Sequence, residues 1–234
     1  MTIVKICGVR RLMDAQAAVA AGADIVGFTF WPGTKRYIAP EEAAGTIAAL
    51  RAEDGPRPLV SGLFVNADPA TIAATVTLCG LDLVQLSGDE TAMDIARLGV
   101  PLVKAVRALP GEDVDALRER IHILHHAARS LPPGPFDQPL MPLLDAHVPG
   151  QYGGTGRTGD WALAAALATE EQIMLAGGLT PENVADAVYT VRPWGVDVAS
   201  GVEVAASPGI KDAARIAAFV HAARTPIAVS HAGR

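Results

Sequence analysis

Short β-branched runs alternate with alanine-rich stretches of helical period along the whole chain. The runs at 2–7 (TIVKIC), 24–30 (DIVGFTF), 59–65 (LVSGLFV), 82–86 (DLVQL), 101–107 (PLVKAVR), 140–145 (LMPLLD), 172–176 (QIMLA) and 195–199 (GVDVA) predict eight strands. Between them, Leu12, Ala15 and Val19, then Ile47 and Leu50, Ile72 and Val76, Ile95 and Leu98, and Ile216, Phe219 and Val220 fall on one face of a 3.6-residue period. Asp68-Pro69 and Thr180-Pro181 read as helix starts, a capping side chain followed by proline at the first helical position. Strict alternation implies parallel strands joined by helical crossovers. Eight such units of about thirty residues each match the size of a (β/α)8 (TIM) barrel. The rival is an open doubly wound sheet, which usually carries a glycine-rich turn after its first strand. Here that turn is GVRRL, with one glycine, and the α/β barrel is the expected fold.

No composition break or low-complexity segment divides the chain, so a single domain over 1–224 is expected, with 225–234 (TPIAVSHAGR) as a loose tail and 129–139 (RSLPPGPFDQP) as a proline-rich loop. A net charge of -6 without any lysine or arginine run argues against nucleic acid as a partner. The first residues read as a core strand rather than a charged leader, and no eighteen apolar residues run uninterrupted, so neither signal peptide nor membrane span is expected. Cys7 and Cys79 are the only cysteines, too few for a disulfide framework, which fits a reducing cytoplasm.

A closed parallel barrel places its active site at the C-terminal ends of its strands. Cys7 ends the first predicted strand and Asp145 the sixth. Three glycine-rich loops then follow strands six, seven and eight: Tyr152-Gly153-Gly154-Thr155-Gly156, Ala176-Gly177-Gly178-Leu179 and Ala199-Ser200-Gly201-Val202-Glu203. Glycine lets the backbone approach an anion, and exposed N–H groups then bind its oxygens. Any one of these loops could be an ordinary turn; clustered, they predict one phosphate site and a substrate with one phosphate.

With these motifs in place, the chain is similar to phosphoribosylanthranilate isomerase, a (β/α)8 enzyme family of tryptophan biosynthesis. The likeness runs through KICG at 5–8, AGADIVGF at 21–28, KRYIAP at 35–40, GLFVN at 62–66, LDLVQLSGDE at 81–90, LLD at 143–145, YGGTG at 152–156, AGGLTPENV at 176–184 and VDVASGVE at 196–203. The resemblance implies an Amadori rearrangement of N-(5'-phosphoribosyl)anthranilate without cofactor or metal, acting on a small phosphorylated substrate as a monomer or homodimer. It implies Cys7 as general base and Asp145 as general acid, each contributing roughly 10²–10⁴-fold in rate. Arg36 matches the family arginine that binds the anthranilate carboxylate, for which a planar guanidinium is well shaped. The phosphate is expected at Gly154, Thr155, Gly156, Gly177, Gly178, Ser200 and Gly201.

Those roles set physical demands. Asp145 must be held protonated against a free value of about 3.9, and Cys7 must be lowered from about 8.5 by a cation or helix terminus. Lys5 shares the parity of Cys7 and is either its tuner or a member of a buried ion pair. Asp197, charged inside strand eight, either shapes the site or pairs with a core cation. Where the family usually has histidine in QLHGDE, this chain has Ser87; either the position accepts any small polar group, or substrate contact and pH dependence differ.

His122, His125 and His126 have metal-like spacing but fall on the fifth helix, on the outer ring. Cys79 reads as a buried filler. An aldose-type isomerase of histidine biosynthesis would have two similar halves with aspartates ending strands one and five. A Schiff-base aldolase would use a lysine such as Lys104, and a non-catalytic sugar-phosphate sensor would not need the Cys7 and Asp145 pair.

Overall fold

The computed structural model describes residues 1–109, 111–145 and 160–225. The order is β1 (Ile3–Ile6), α1 (Leu12–Ala21), β2 (Ile25–Thr29), α2 (Pro40–Ala52), β3 (Leu59–Phe64), α3 (Pro69–Cys79), β4 (Leu83–Leu86), α4 (Ala92–Ile95), β5 (Leu102–Val106), α5 (Val114–Ala128), β6 (Leu140–Leu144), α6 (Trp161–Leu167), β7 (Met174–Leu175), α7 (Val184–Val191), β8 (Gly195–Val198) and α8 (Ala213–Arg224). All eight strands are parallel, each pairs with the next, and β8 closes on β1 through Ile3 opposite Gly195 and Lys5 opposite Asp197. Each strand predicted from the sequence is present, trimmed at its ends.

Strand parity sorts the barrel interior into two zones. The lower interior is apolar: Ile25, Leu83, Val103, Met141 and Met174 form one cluster. Phe136, from the proline-rich loop, closes its floor edge-on against Trp194, with ring centroids 5.3 Å apart. Toward the C-terminal ends the inward residues turn polar, and Lys5, Thr29, Ser61, Gln85, Ser87 and Asp197 are all buried. A parallel strand covered on both faces is expected to be apolar throughout. This polar layer is therefore where the sequence departs from pure packing.

Aspartates ahead of two even strands tie the bottom together. Asp24 accepts from the Val4 amide at 2.7 Å and from Arg224 at 2.6 Å, and Asp82 accepts from the Val60 amide at 2.7 Å. Asp68 caps α3 as expected, its Oδ1 taking the Thr71 amide at 2.9 Å.

Two helix expectations are corrected. The helix predicted around Ile95 and Leu98 is a four-residue turn of helix whose capping box uses Thr91 and Asp94. Thr180-Pro181 does not start α7, which begins at Val184. Asn183 instead folds 180–183 into a turn, its Oδ1 accepting from the Thr180 amide at 2.8 Å while its Nδ2 donates to the Gly178 carbonyl at 2.9 Å. That side chain competes with the helix for the backbone and braces the loop after β7.

His122, His125 and His126 lie on α5, where Glu171 faces His122 at 2.8 Å and His125 at 3.7 Å. Cys79 is buried and its Sγ donates to the Pro40 carbonyl at 3.3 Å. Among the described residues no helix is long and apolar enough to cross a membrane. Of the expected tail, only Thr225 lies within the described residues, its hydroxyl donating to the His221 carbonyl at 2.8 Å.

Candidate active site

A cavity opens at the C-terminal mouth of the barrel. Cys7, Arg36, Asp145, Gly177, Gly178 and Ser200 line it, with Ser87 and Asp197 deeper in the wall. Residues from opposite ends of the sequence meet here because each follows, or sits near the top of, a different strand.

Cys7 follows β1 and stays in the ladder, its amide donating to the Val198 carbonyl at 2.8 Å. Gly8 behind it has φ +72°, and an added Cβ there would fall 2.5 Å from Arg36 Cδ. Glycine at this position therefore turns the chain sharply and lets the Arg36 side chain lie directly over it. Gly8→Ala is expected to displace Arg36 and raise KM several-fold with a smaller change in kcat, measurable by steady-state kinetics.

Lys5 is wholly buried below Cys7, and its Nζ lies 2.8 Å from Asp197 Oδ1. It forms a core ion pair, and its positive charge favours the ionised form of the Cys7 sulfur. Burial opposes the lysine's charge, but Asp197 and Cys7 together raise its pKa. Lys5→Met would leave Asp197 buried without its ion-pair partner, and a urea melt is expected to show a loss of roughly 3 kcal/mol.

The thiol does not follow the sequence expectation. Burial pushes the Cys7 pKa up, and this outweighs the downward pull of Lys5 and the weaker pull of Lys211. Asp197 adds to the rise, because it cancels much of the lysine charge that would hold a thiolate. A nearby cation is present, as the chemistry requires, but it comes already paired.

Asp145 follows β6, and its amide donates to the Val106 carbonyl at 3.3 Å. Arg36, after β2, forks onto Glu203 with Nε to Oε1 at 2.7 Å and Nη2 to Oε2 at 3.0 Å. Gly177 and Gly178 turn with φ of 86° and 64°, and Ser200 begins a short 3₁₀ turn, Ser200–Val202. Gly201 packs so close to the next loop that a Cβ would overlap the Leu179 carbonyl oxygen. Arg215 of α8 holds the same loop, its Nε donating to the Gly201 carbonyl at 2.9 Å. The predicted phosphate residues Gly154, Thr155 and Gly156 lie outside the described residues.

Several site residues escaped the sequence reading. Gln85, buried on the inward parity of β4, donates from Nε2 to Ser87 Oγ at 3.0 Å, while its Oε1 reaches no hydrogen-bond partner among the described residues. Its signal was available, a glutamine at an interior position of a strand. Glu203 and Lys211 also lie beside the site, where they were not expected, since the pairing of Arg36 with Glu203 and of Glu203 with Lys211 depends on a loop geometry that spacing does not reveal. Lys104, by contrast, points out of the barrel, pairs with Glu90 at 2.8 Å and donates to the Gly88 carbonyl at 2.8 Å. That orientation removes it as a Schiff-base lysine for this cavity. Among the described residues no group of three or more His, Cys, Asp or Glu is placed to hold a metal ion.

Comparison with known proteins agrees with this geometry. The family model described as N-(5'phosphoribosyl)anthranilate (PRA) isomerase matches residues 4–222. The N-(5'-phosphoribosyl)anthranilate isomerase of Roseiflexus sp. (strain RS-1) is 48% identical over 228 residues, covering 96% of this chain and 98% of that one. That of Geobacter sulfurreducens is 44% identical over 224 residues, covering 96% and 99%. Among solved structures, phosphoribosyl anthranilate isomerase from Thermotoga maritima superposes with a TM-score of 0.78 at 35% identity, covering 95% of this chain and 98% of that one. A phosphoribosyl anthranilate isomerase in complex with reduced 1-(o-carboxyphenylamino)-1-deoxyribulose 5-phosphate superposes with a TM-score of 0.75 at 34% identity, with the same coverage. A polar cavity at the mouth of a closed eight-stranded barrel and a likeness running from β1 to α8 lead to one conclusion: the chain belongs to the N-(5'-phosphoribosyl)anthranilate isomerase family.

Proposed function

We propose that this cavity converts N-(5'-phosphoribosyl)anthranilate into 1-(2-carboxyphenylamino)-1-deoxyribulose 5-phosphate, a step of tryptophan biosynthesis, with Asp145 as general acid and Cys7 as general base. The observation that carries the reading is that Cys7 and Asp145, distant in sequence, line one cavity whose rim holds Arg36 on one side and the loops after β7 and β8 on another.

The chemistry follows from proton bookkeeping. Asp145 gives its proton to the ribose ring oxygen, the C1–O bond breaks, and the nitrogen lone pair forms the C1=N bond of the open-chain Schiff base. Cys7 as thiolate then takes the proton from C2, and the C2–H electrons form a C1–C2 double bond as C1=N becomes an amine. The enol so formed gains a proton at C1 and loses one from the C2 hydroxyl to give the ketone. Atoms and charges balance without an external oxidant or reductant. Arg36 suits the anthranilate carboxylate, and Gly177, Gly178, Ser200 and Gly201, with Gly154, Thr155 and Gly156, form the proposed phosphate site. Gln85 and Ser87, joined by the bond from Gln85 Nε2 to Ser87 Oγ, form part of the polar wall on which the sugar would rest. The paucity of cysteines favours a reducing cytoplasm as the setting.

The test is to mix purified protein with the substrate and follow anthranilate fluorescence. Rapid loss of signal is expected; decay at the spontaneous rate would reject the activity.

A further inference from the structure

Behind Arg36 lies a cluster of charges that does not itself line the catalytic cavity in full. After β8 the chain folds into a small hairpin in which Glu203 bridges Lys211 in antiparallel register. Its closing bonds run from the Val204 amide to the Ile210 carbonyl at 2.9 Å and from the Asp212 amide to the Val202 carbonyl at 2.9 Å. The hairpin is seated against the loop that carries Arg36, since a Cβ on Gly209 would lie 2.6 Å from the Lys35 carbonyl oxygen.

The hairpin delivers two opposite charges. Glu203 takes the Arg36 fork described above, and its Oε1 also lies 3.3 Å from Lys211 Nζ. Lys211 donates to the Ala199 carbonyl at 2.9 Å, and its side chain is 0% exposed. A glutamate bidentate on Arg36 fixes the guanidinium but also neutralises it, which would spoil its attraction for a carboxylate. Lys211 returns the three-residue cluster to a net positive charge.

Resting on the isomerase reading above, we infer that Lys211 is a positioning residue, whose buried ammonium anchors Glu203 and thereby Arg36 while supplying the positive charge that Glu203 removes. A structural role alone would not require a lysine. Glu203 already has a bidentate partner in Arg36, so its carboxylate would stay paired without a second cation. Burial in fact disfavours the charge here and lowers the Lys211 pKa, despite the support of Glu203 and of Cys7. The charge also reaches the base: Lys211 acts with Lys5, and against Asp197, on the ionisation of Cys7.

The experiment compares Lys211→Met, Lys211→Gln and Lys211→Arg in a Cys79→Ser background, where Cys7 is the only thiol. Two readouts are taken: affinity for the reduced product analogue and for the same compound lacking its carboxylate, and the pH dependence of Cys7 alkylation by iodoacetamide. Lys211→Met is expected to weaken the carboxylate-bearing ligand by roughly tenfold, leave the other nearly unchanged and move alkylation to higher pH, with Lys211→Arg restoring both. Lys211→Gln, which keeps a donor for Ala199, carries the same prediction should Lys211→Met not fold. Equal losses for both ligands, or no loss with an unmoved alkylation profile, would overturn the inference. Failure of the isomerase reading itself is distinguishable, since the parent protein would then show no preference for the carboxylate.

Discussion

Cys7→Ala is expected to lower turnover by roughly 10²–10⁴-fold while leaving the barrel folded and the product analogue bound with little loss. The β1 ladder at this position runs through the backbone amide of Cys7 to Val198, which the substitution leaves in place, and Lys5 keeps Asp197 as its ion-pair partner. Removing the sulfur also removes a group whose ionised form is costly at full burial. The variant should therefore melt close to the parent. Steady-state kinetics, a product-binding titration and a thermal melt together check this, and near-normal turnover would remove Cys7 as the base.

Asp145→Asn is expected to lose turnover on the same scale, roughly 10²–10⁴-fold. The amide matches the carboxyl in shape and can still donate a hydrogen bond, but it cannot hand a proton to the ring oxygen. Binding should be kept, so the loss should fall in kcat rather than KM. Because acid and base serve one sequence of steps, the double variant should lose little beyond either single one. Simple multiplication of the two losses would mean that the residues act in separate roles.

The barrel was legible because its strands are buried on both faces and so stand out as β-branched runs between amphipathic helices. Parity along β1 also placed Lys5 beneath Cys7 correctly. The misreadings share a cause, which is competition that only three dimensions resolve. At 180–184, Pro181 looked like a first helical residue, yet Asn183 captured the Thr180 amide and the Gly178 carbonyl and delayed α7 to Val184. At Cys7, the cation that the chemistry called for is there, but Asp197 already answers it and full burial decides the direction. Glu203 sat within a recognised motif, but nothing in VDVASGVE reveals that it grips Arg36 across 167 residues of sequence. Lys211 gave no signal at all, since its register opposite Glu203 depends on the hairpin between them.

With Cys7 as the proposed thiolate base, turnover is expected to rise with pH as the thiol gives up its proton, and burial sets that rise above the ordinary thiol range. The most direct measurement is the single-turnover rate across pH, set beside the pH profile of Cys7 alkylation in the Cys79→Ser protein. The account predicts that the two curves climb together. A rate that climbs to its plateau while Cys7 is still protonated would contradict it.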